Sequence, residues 1–203
     1  MNLVESLISR GWLKTPRLIE AFQKIKRVDF LPPESLDLAE LDEALPIGQN
    51  QTISQPLVVA FMLELLQPET GNKTLDVGSG SGWTTALLSE VVRPQGKVFG
   101  IEIIPELMEF GQKNAAKYGF TEKGIARFIC ADASLGFNKE APFDRILASA
   151  SIQDELPRVW KDQLKVGGRI VAPIKNSIWL FIKKTRNDFE ATEYPGFAFV
   201  PLV

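Results

Sequence analysis

Apolar positions in the first third of the chain recur at helical spacing. Asn2 can cap a short helix that ends at Gly11. Thr15 followed by Pro16 reads as a cap and first-turn proline, opening a second helix through about Lys26. Leu18, Ala21, Phe22 and Ile25 give that helix one apolar face. Leu31-Pro32-Pro33 stops any helix, and a polar, acidic stretch follows to Glu43. After Ser54 the helical period returns in Leu57, Val58, Phe61, Met62, Leu65 and Leu66, until Pro68 and Gly71 close it. Serine ahead of such a run is an ordinary helix N-cap.

From Lys73 onward the pattern becomes an alternation of strands and helices. The strand candidates are Thr74–Val77, Lys97–Ile103, Ala126–Ala131, Phe143–Ala148 and Gly168–Pro173. Helical segments, among them Trp83–Val92 and Pro105–Tyr118, lie between them. Alternation of this kind predicts an α/β fold with a doubly wound, mostly parallel sheet covered on both faces. Ser177–Lys183 and Phe197–Leu202 are also strand-like and have no long helix between them, which predicts an antiparallel pair. The expected organisation is one domain over 1–203, with a helical N-terminal part (1–66) covering an α/β core (67–203).

Composition narrows the chemistry. The chain has 203 residues, 45% hydrophobic and 24% charged, with a net charge of −2. No basic run exceeds Lys183-Lys184, so nucleic acid is disfavoured as a partner. No apolar run reaches the roughly 18 residues that span a bilayer. The N-terminus lacks the basic-then-apolar layout of a signal peptide. Cys130 is the single cysteine, which suits a reducing compartment; a cytoplasmic monomer is expected, and Cys130 itself reads as inert core. The absence of histidine removes the commonest general base and metal ligand, so no metal is expected and imidazole-based acyl transfer is excluded.

The sharpest motif is Leu75-Asp76-Val77-Gly78-Ser79-Gly80-Ser81-Gly82, between a strand and a helix, where doubly wound folds bind nucleotides. Its spacing is G-x-G-x-G; Trp83 stands where a dinucleotide fingerprint needs glycine, and the Gly-Lys-Ser/Thr ending of a P-loop is absent. Such a loop allows close backbone approach without a pyrophosphate cradle, and S-adenosylmethionine carries no phosphate. Glu102 ends the next strand, at about the distance where an acid receives ribose hydroxyls. Asp132 ends the third strand within Ala131-Asp132-Ala133. Cofactor contacts are therefore expected from Asp76, Gly78, Ser79, Gly80, Gly82, Glu102, Ile103, Asp132 and Ala133.

This half of the chain resembles a Rossmann-like, class I methyltransferase. The segment Asp42-Glu43-Ala44-Leu45-Pro46-Ile47-Gly48-Gln49-Asn50-Gln51-Thr52-Ile53-Ser54-Gln55-Pro56 is similar to the signature ahead of the cofactor domain in protein-L-isoaspartate O-methyltransferases. Pro142-Phe143-Asp144, Gln163–Arg169 and Phe199-Val200-Pro201-Leu202 match that family in order. The resemblance implies that Thr52, Ile53 and Ser54 lie over S-adenosylmethionine and that Ser54 is the active-site serine. It implies as acceptor the side-chain carboxylate of L-isoaspartyl residues in damaged peptides or proteins; the ester then closes to a succinimide without further catalysis. Ala131-Asp132-Ala133 departs from the Gly-Asp-Gly of many members.

The inventory agrees with this chemistry. A carboxylate, with a pKa of about 4, is ionised at neutral pH and needs no base. Ser54 would orient it rather than act as nucleophile. Amino-methylating nucleic-acid enzymes carry an Asn/Asp-Pro-Pro-aromatic element after the fourth strand, and Ala148-Ser149-Ala150-Ser151 is not one. Two readings stay open at this point: a methyltransferase with another acceptor, such as a specific peptide aspartate or a small molecule, and a non-catalytic binding protein on the same fold.

Overall fold

A computed structural model describes residues 2–202; the expected span of 1–203 includes Met1 and Val203, which lie outside the described residues. The α-helices are α1 (Leu3–Ser9), α2 (Pro16–Lys24), α3 (Pro56–Leu66), α4 (Trp83–Val92), α5 (Pro105–Ala116) and α6 (Arg158–Gln163). The strands are β1 (Leu45–Gly48), β2 (Gln51–Ile53), β3 (Lys73–Val77), β4 (Lys97–Glu102), β5 (Ala126–Cys130), β6 (Phe143–Ala148), β7 (Leu164–Ile174), β8 (Ser177–Lys183) and β9 (Phe189–Pro195). Asn2 caps α1 in a reciprocal capping box with Glu5. Thr15 makes no side-chain cap; its hydroxyl and N–H both bond to Glu64 on α3, which ties α2 to α3.

Strands β3 to β9 form one sheet in the order β5-β4-β3-β6-β7-β8-β9. β5, β4, β3, β6 and β7 are parallel; β7–β8 and β8–β9 are antiparallel. The chain leaves β3 in one direction through α4 to β4, and β6 returns on the other side of β3. That reversal is the topological switch point where open α/β sheets bind ligands. The fold is the Rossmann-like, mostly parallel sheet that the alternation predicts.

Side chains alternate across this sheet with period two. Leu75, Val77, Phe99, Ile101, Ile146 and Ile170 pack on one face with Trp160 of α6. Val98, Leu147, Val171 and Leu180 pack on the other with α1 to α4. The N-terminal helices thus share a buried cluster with the sheet.

The structure corrects three expectations. Residues 1–66 are not helical throughout, because β1 and β2 form an antiparallel hairpin there. Gln49 and Asn50 form its two-residue loop with φ of 52° and 56°, the handedness that suits a tight hairpin. Phe197–Leu202 is not the last strand. The last strand is Phe189–Pro195, a mostly exposed edge segment whose place rests on pairing with β8, and exposed edges lack the apolar run that makes a strand legible. Cys130 is exposed rather than core, because β5 is the opposite edge of the sheet. Among the described residues no helix is long and apolar enough to cross a membrane.

Candidate active site

The glycine loop forms because β3 must turn sharply into α4. Gly78, Gly80 and Gly82 have φ of +71°, +49° and +83°, a region that side chains disfavour. Backbone N–H groups of Gly78 and Ser79 donate to the Ile101 carbonyl, fastening the loop to β4. The Glu102 carboxylate accepts from Gly80 N–H at 2.9 Å and from Ile104 N–H at 3.1 Å. Glu102 is buried and lines the cavity above the loop.

Four separate stretches of chain wall this cavity. The loop contributes Gly78, Ser79, Gly80 and Ser81, followed by Trp83 and Thr84 at the start of α4. Ile101 to Ile104 form a second wall, with Ala131 and Ala133 beside them. The β1–β2 hairpin and its exit, including Ile47, Thr52, Ile53 and Ser54, form a third. Ser149, Ala150 and Val200 to Leu202 close the far side. Thr52, Ile53, Ser54, Gly78, Ser79, Gly80, Glu102, Ile103 and Ala133 therefore line one cavity.

Three predicted contacts do not line the cavity. Asp76 is fully buried beneath the loop, where its Oδ2 accepts from Thr84 and Thr85 hydroxyls at 2.8 and 2.6 Å. Burial pushes its pKa up to about 6 against the opposing effect of those two hydrogen bonds. Gly82 faces α5, not the cavity: a Cβ there would stand 2.6 Å from the Gly111 carbonyl oxygen. The Asp132 carboxylate accepts from Ser134 N–H at 2.9 Å, capping a 3-10 turn.

Ser54 is not the helix cap. The cap residue of α3 is Gln55, whose side chain makes no capping bond. The Leu57 N–H at the helix start donates instead to Asp42 Oδ1 at 2.8 Å. A carboxylate remote in sequence has taken the capping duty. The half-buried Ser54 lines the cavity, and its hydroxyl has no hydrogen-bond partner among the described residues.

Sequence reasoning missed Ile47, Ala150 and the Val200–Leu202 segment as walls. Val200 and Leu202 reach the site by exchanging backbone hydrogen bonds with Ser151, at 2.8 Å each. No local signal announces such a long-range bridge.

The lining suits a nucleoside-sulfonium. Ser79 Oγ and Trp83 Nε1 are buried polar atoms without a partner, both on lining residues. Such orphans are costly unless a ligand or water completes them. Ile103, Ala131 and Ala133 offer an apolar seat beside Glu102.

The family model for protein-L-isoaspartate(D-aspartate) O-methyltransferase matches residues 1–203. The chain belongs to the protein-L-isoaspartate(D-aspartate) O-methyltransferase family. Relatives named protein-L-isoaspartate O-methyltransferase bear this out. That of Methanopyrus kandleri is 40% identical and is aligned over 100% of this chain and 90% of its own. That of Thermococcus onnurineus is 38% identical over 100% of this chain and 92% of its own. The fold matches the crystal structure of a beta-aspartate methyltransferase from Plasmodium falciparum in complex with S-adenosyl-L-homocysteine. There the TM-score is 0.88 at 23% identity, with 100% of this chain and 99% of that one covered. The sequence-level resemblance to protein-L-isoaspartate O-methyltransferases thus extends over the whole length of the chain.

Proposed function

We propose that this enzyme transfers the methyl group of S-adenosylmethionine to the side-chain carboxylate of L-isoaspartyl residues in damaged proteins and peptides, the entry step of their repair. The observation that carries the reading is the juxtaposition, in one cavity, of the Thr52–Ser54 segment with the Gly78–Gly80 loop and Glu102. In this family that segment belongs with an isoaspartyl acceptor.

Each site residue has a role in this reading. The backbone of Gly78, Ser79 and Gly80 lets the cofactor approach closely. Glu102 has lone pairs left after its two backbone bonds, and these receive the ribose hydroxyls. Ile103 and Ala133 seat the adenine. Thr52 and Ile53 cover the cofactor, and the Ser54 hydroxyl donates to the acceptor carboxylate. Asp76 and Gly82 act from beneath, by shaping the loop, and Asp132 by capping the turn that carries Ala133.

The chemistry needs no base. Among the described lining residues Glu102 is the only charged side chain, so the cavity offers an acceptor anion neutral donors but no cation. When bound, S-adenosylmethionine supplies an activated methyl and the missing positive charge. Transfer to the acceptor oxygen would leave the methyl–sulfur electron pair on sulfur and would require no proton to move. What the protein contributes is alignment and exclusion of water, worth several kcal/mol. In this reading the enzyme works in the cytoplasm as a monomer, without metal or nucleic acid.

The test pairs two peptides that differ only in an isoaspartyl or aspartyl linkage, with radiolabelled S-adenosylmethionine. Label is expected in the isoaspartyl peptide alone. Equal labelling of both, or none despite tight cofactor binding, would sink the acceptor assignment.

A further inference from the structure

Four backbone carbonyls converge on one buried cation outside the cavity. Arg27 is 5% exposed. Its Nη1 donates to the carbonyls of Ala39 at 3.2 Å and Leu41 at 2.9 Å. Its Nη2 donates to those of Glu43 at 2.6 Å and Ser54 at 3.4 Å. Among the described residues no carboxylate stands within ion-pair distance; Asp42 and Glu40 attract it only from farther away. On its other side the guanidinium lies 5.6 Å from the centroid of the Trp83 ring, a wall of the cavity.

This arrangement is expensive as packing. Desolvation lowers the Arg27 pKa to about 10, and its Nε–H is buried with no partner. A buried charge held without an ion pair is weak evidence for a stabilising role, since an apolar side chain of similar volume fills such space at lower cost. A rigid guanidinium fork offers something an apolar group cannot, which is fixed geometry between several chain segments at once. The turn from Ala39 to Glu43 reaches Ser54 from the far side as well. The Asp42 carbonyl accepts from Gln55 Nε2 at 2.9 Å, while Asp42 Oδ1 caps Leu57. Ser54 is thus held at its own carbonyl by Arg27 and at the next residues by Asp42. Its hydroxyl is released from capping.

We infer that Arg27 is a positioning residue for methyl transfer, acting through the turn that Asp42 anchors to fix where the Ser54 hydroxyl stands over the glycine loop. The inference rests on the acceptor-orienting role proposed for Ser54. Arg27 lines no part of the cavity itself; it touches two of its walls, Trp83 and Ser54, and acts through Ser54.

The test uses the full chain with Arg27→Lys, Ser54→Ala, the double variant, and the pair Asp42→Asn and Asp42→Ala. Lysine keeps the charge but loses the fork. For Arg27→Lys, kcat on an isoaspartyl peptide is expected to fall by on the order of tenfold to a hundredfold, the scale of small misplacements. Calorimetric affinity for S-adenosylhomocysteine should not change. Affinity of the S-adenosylhomocysteine-loaded protein for the isoaspartyl peptide should fall. The double variant should lose no more turnover than Ser54→Ala alone, because both changes remove one device. A parallel fall in cofactor affinity and turnover, or losses that multiply in the double variant, would overturn the inference. If Arg27→Lys does not fold, the Asp42 pair decides. Asparagine keeps an acceptor oxygen for Leu57 N–H and should retain turnover, and alanine should lose it; equal turnover in the two overturns the clamp. Wild-type protein with no isoaspartyl turnover defeats the functional reading and this inference together, whereas a discrepancy confined to the variants bears on Arg27 alone.

Discussion

Asp76 and Glu102 are both acids at the carboxyl end of the sheet, yet they do different things. Glu102 lies in the cavity wall and ties the glycine loop to β4. Asp76 points toward α4, where Gly100, its register partner on β4, leaves room for the Thr85 hydroxyl. One oxygen of Asp76 is satisfied and Oδ1 is buried without a partner. Its folded pKa of about 6 lies above the ordinary 3.8, so the folded state binds the proton more tightly than the unfolded one. The sign follows: the stability from this group is fully present below pH 3.8 and is lost as pH rises through about 6. Asp76→Asn keeps a carbonyl oxygen for both threonines and removes the titration. It should match wild type near pH 4, then gain progressively up to about pH 6, levelling off at on the order of 3 kcal/mol. Denaturant melts of both proteins between pH 4 and 8 measure this. A gap that does not change with pH would show that Asp76 does not titrate in this window.

At the scale of elements, the site depends on how closely α5 approaches the glycine loop. Gly111 lies inside α5, and a Cβ there would stand 2.8 Å from the Gly80 carbonyl oxygen and 3.1 Å from Gly82 N. Asn114 Nδ2, one turn on, donates to the Ser81 carbonyl at 3.1 Å, so a side chain of the helix is tied to the loop backbone. Gly111→Ala would gain about 1 kcal/mol of helix propensity. The clash falls on backbone atoms that cannot rotate away, and overpacking of this kind costs about 1–3 kcal/mol. The prediction is a lower melting temperature together with weaker S-adenosylhomocysteine binding by calorimetry, although Gly111 does not line the cavity. A stabilised variant with unchanged affinity, as at an exposed helical glycine, would contradict it. Elements with their own pattern were legible in the chain: β6, α4 and β8 fall at the predicted residues. The β1–β2 hairpin and β9 were not, since strands of 4 and 3 residues, or an exposed edge, carry too little hydrophobic pattern.

Across the whole molecule, the cavity is closed by a segment that follows the completed sheet. Phe197 stacks on Phe61 of α3 at 5.5 Å, and the chain then crosses to bridge Ser151. A chain shortened to end at Gly196 keeps all nine strands and six helices of the described fold. It loses the wall made by Val200, Pro201 and Leu202. It should keep its far-UV circular dichroism while isoaspartyl turnover falls by on the order of tenfold or more, because the site admits water and the acceptor is held less firmly. Wild-type turnover from the shortened chain would show that this wall is dispensable.

By itself the sequence determined what short-range spacing can encode. Helical and strand periods, the G-x-G-x-G turn between a strand and a helix, and the acid at the end of the next strand all lie within or next to single elements. The lack of histidine limits the chemistry whatever the fold. Only the tertiary structure decided which of three strand-end acids faces the cavity, because sheet face and helix packing orient each one. Only it showed that Asp42 caps α3 and leaves Ser54 uncapped, and that Arg27 bonds to the Ser54 carbonyl and to those flanking Asp42. Those relations join residues 15 and 27 positions apart, and local pattern carries no record of a contact made by chain reversal and packing.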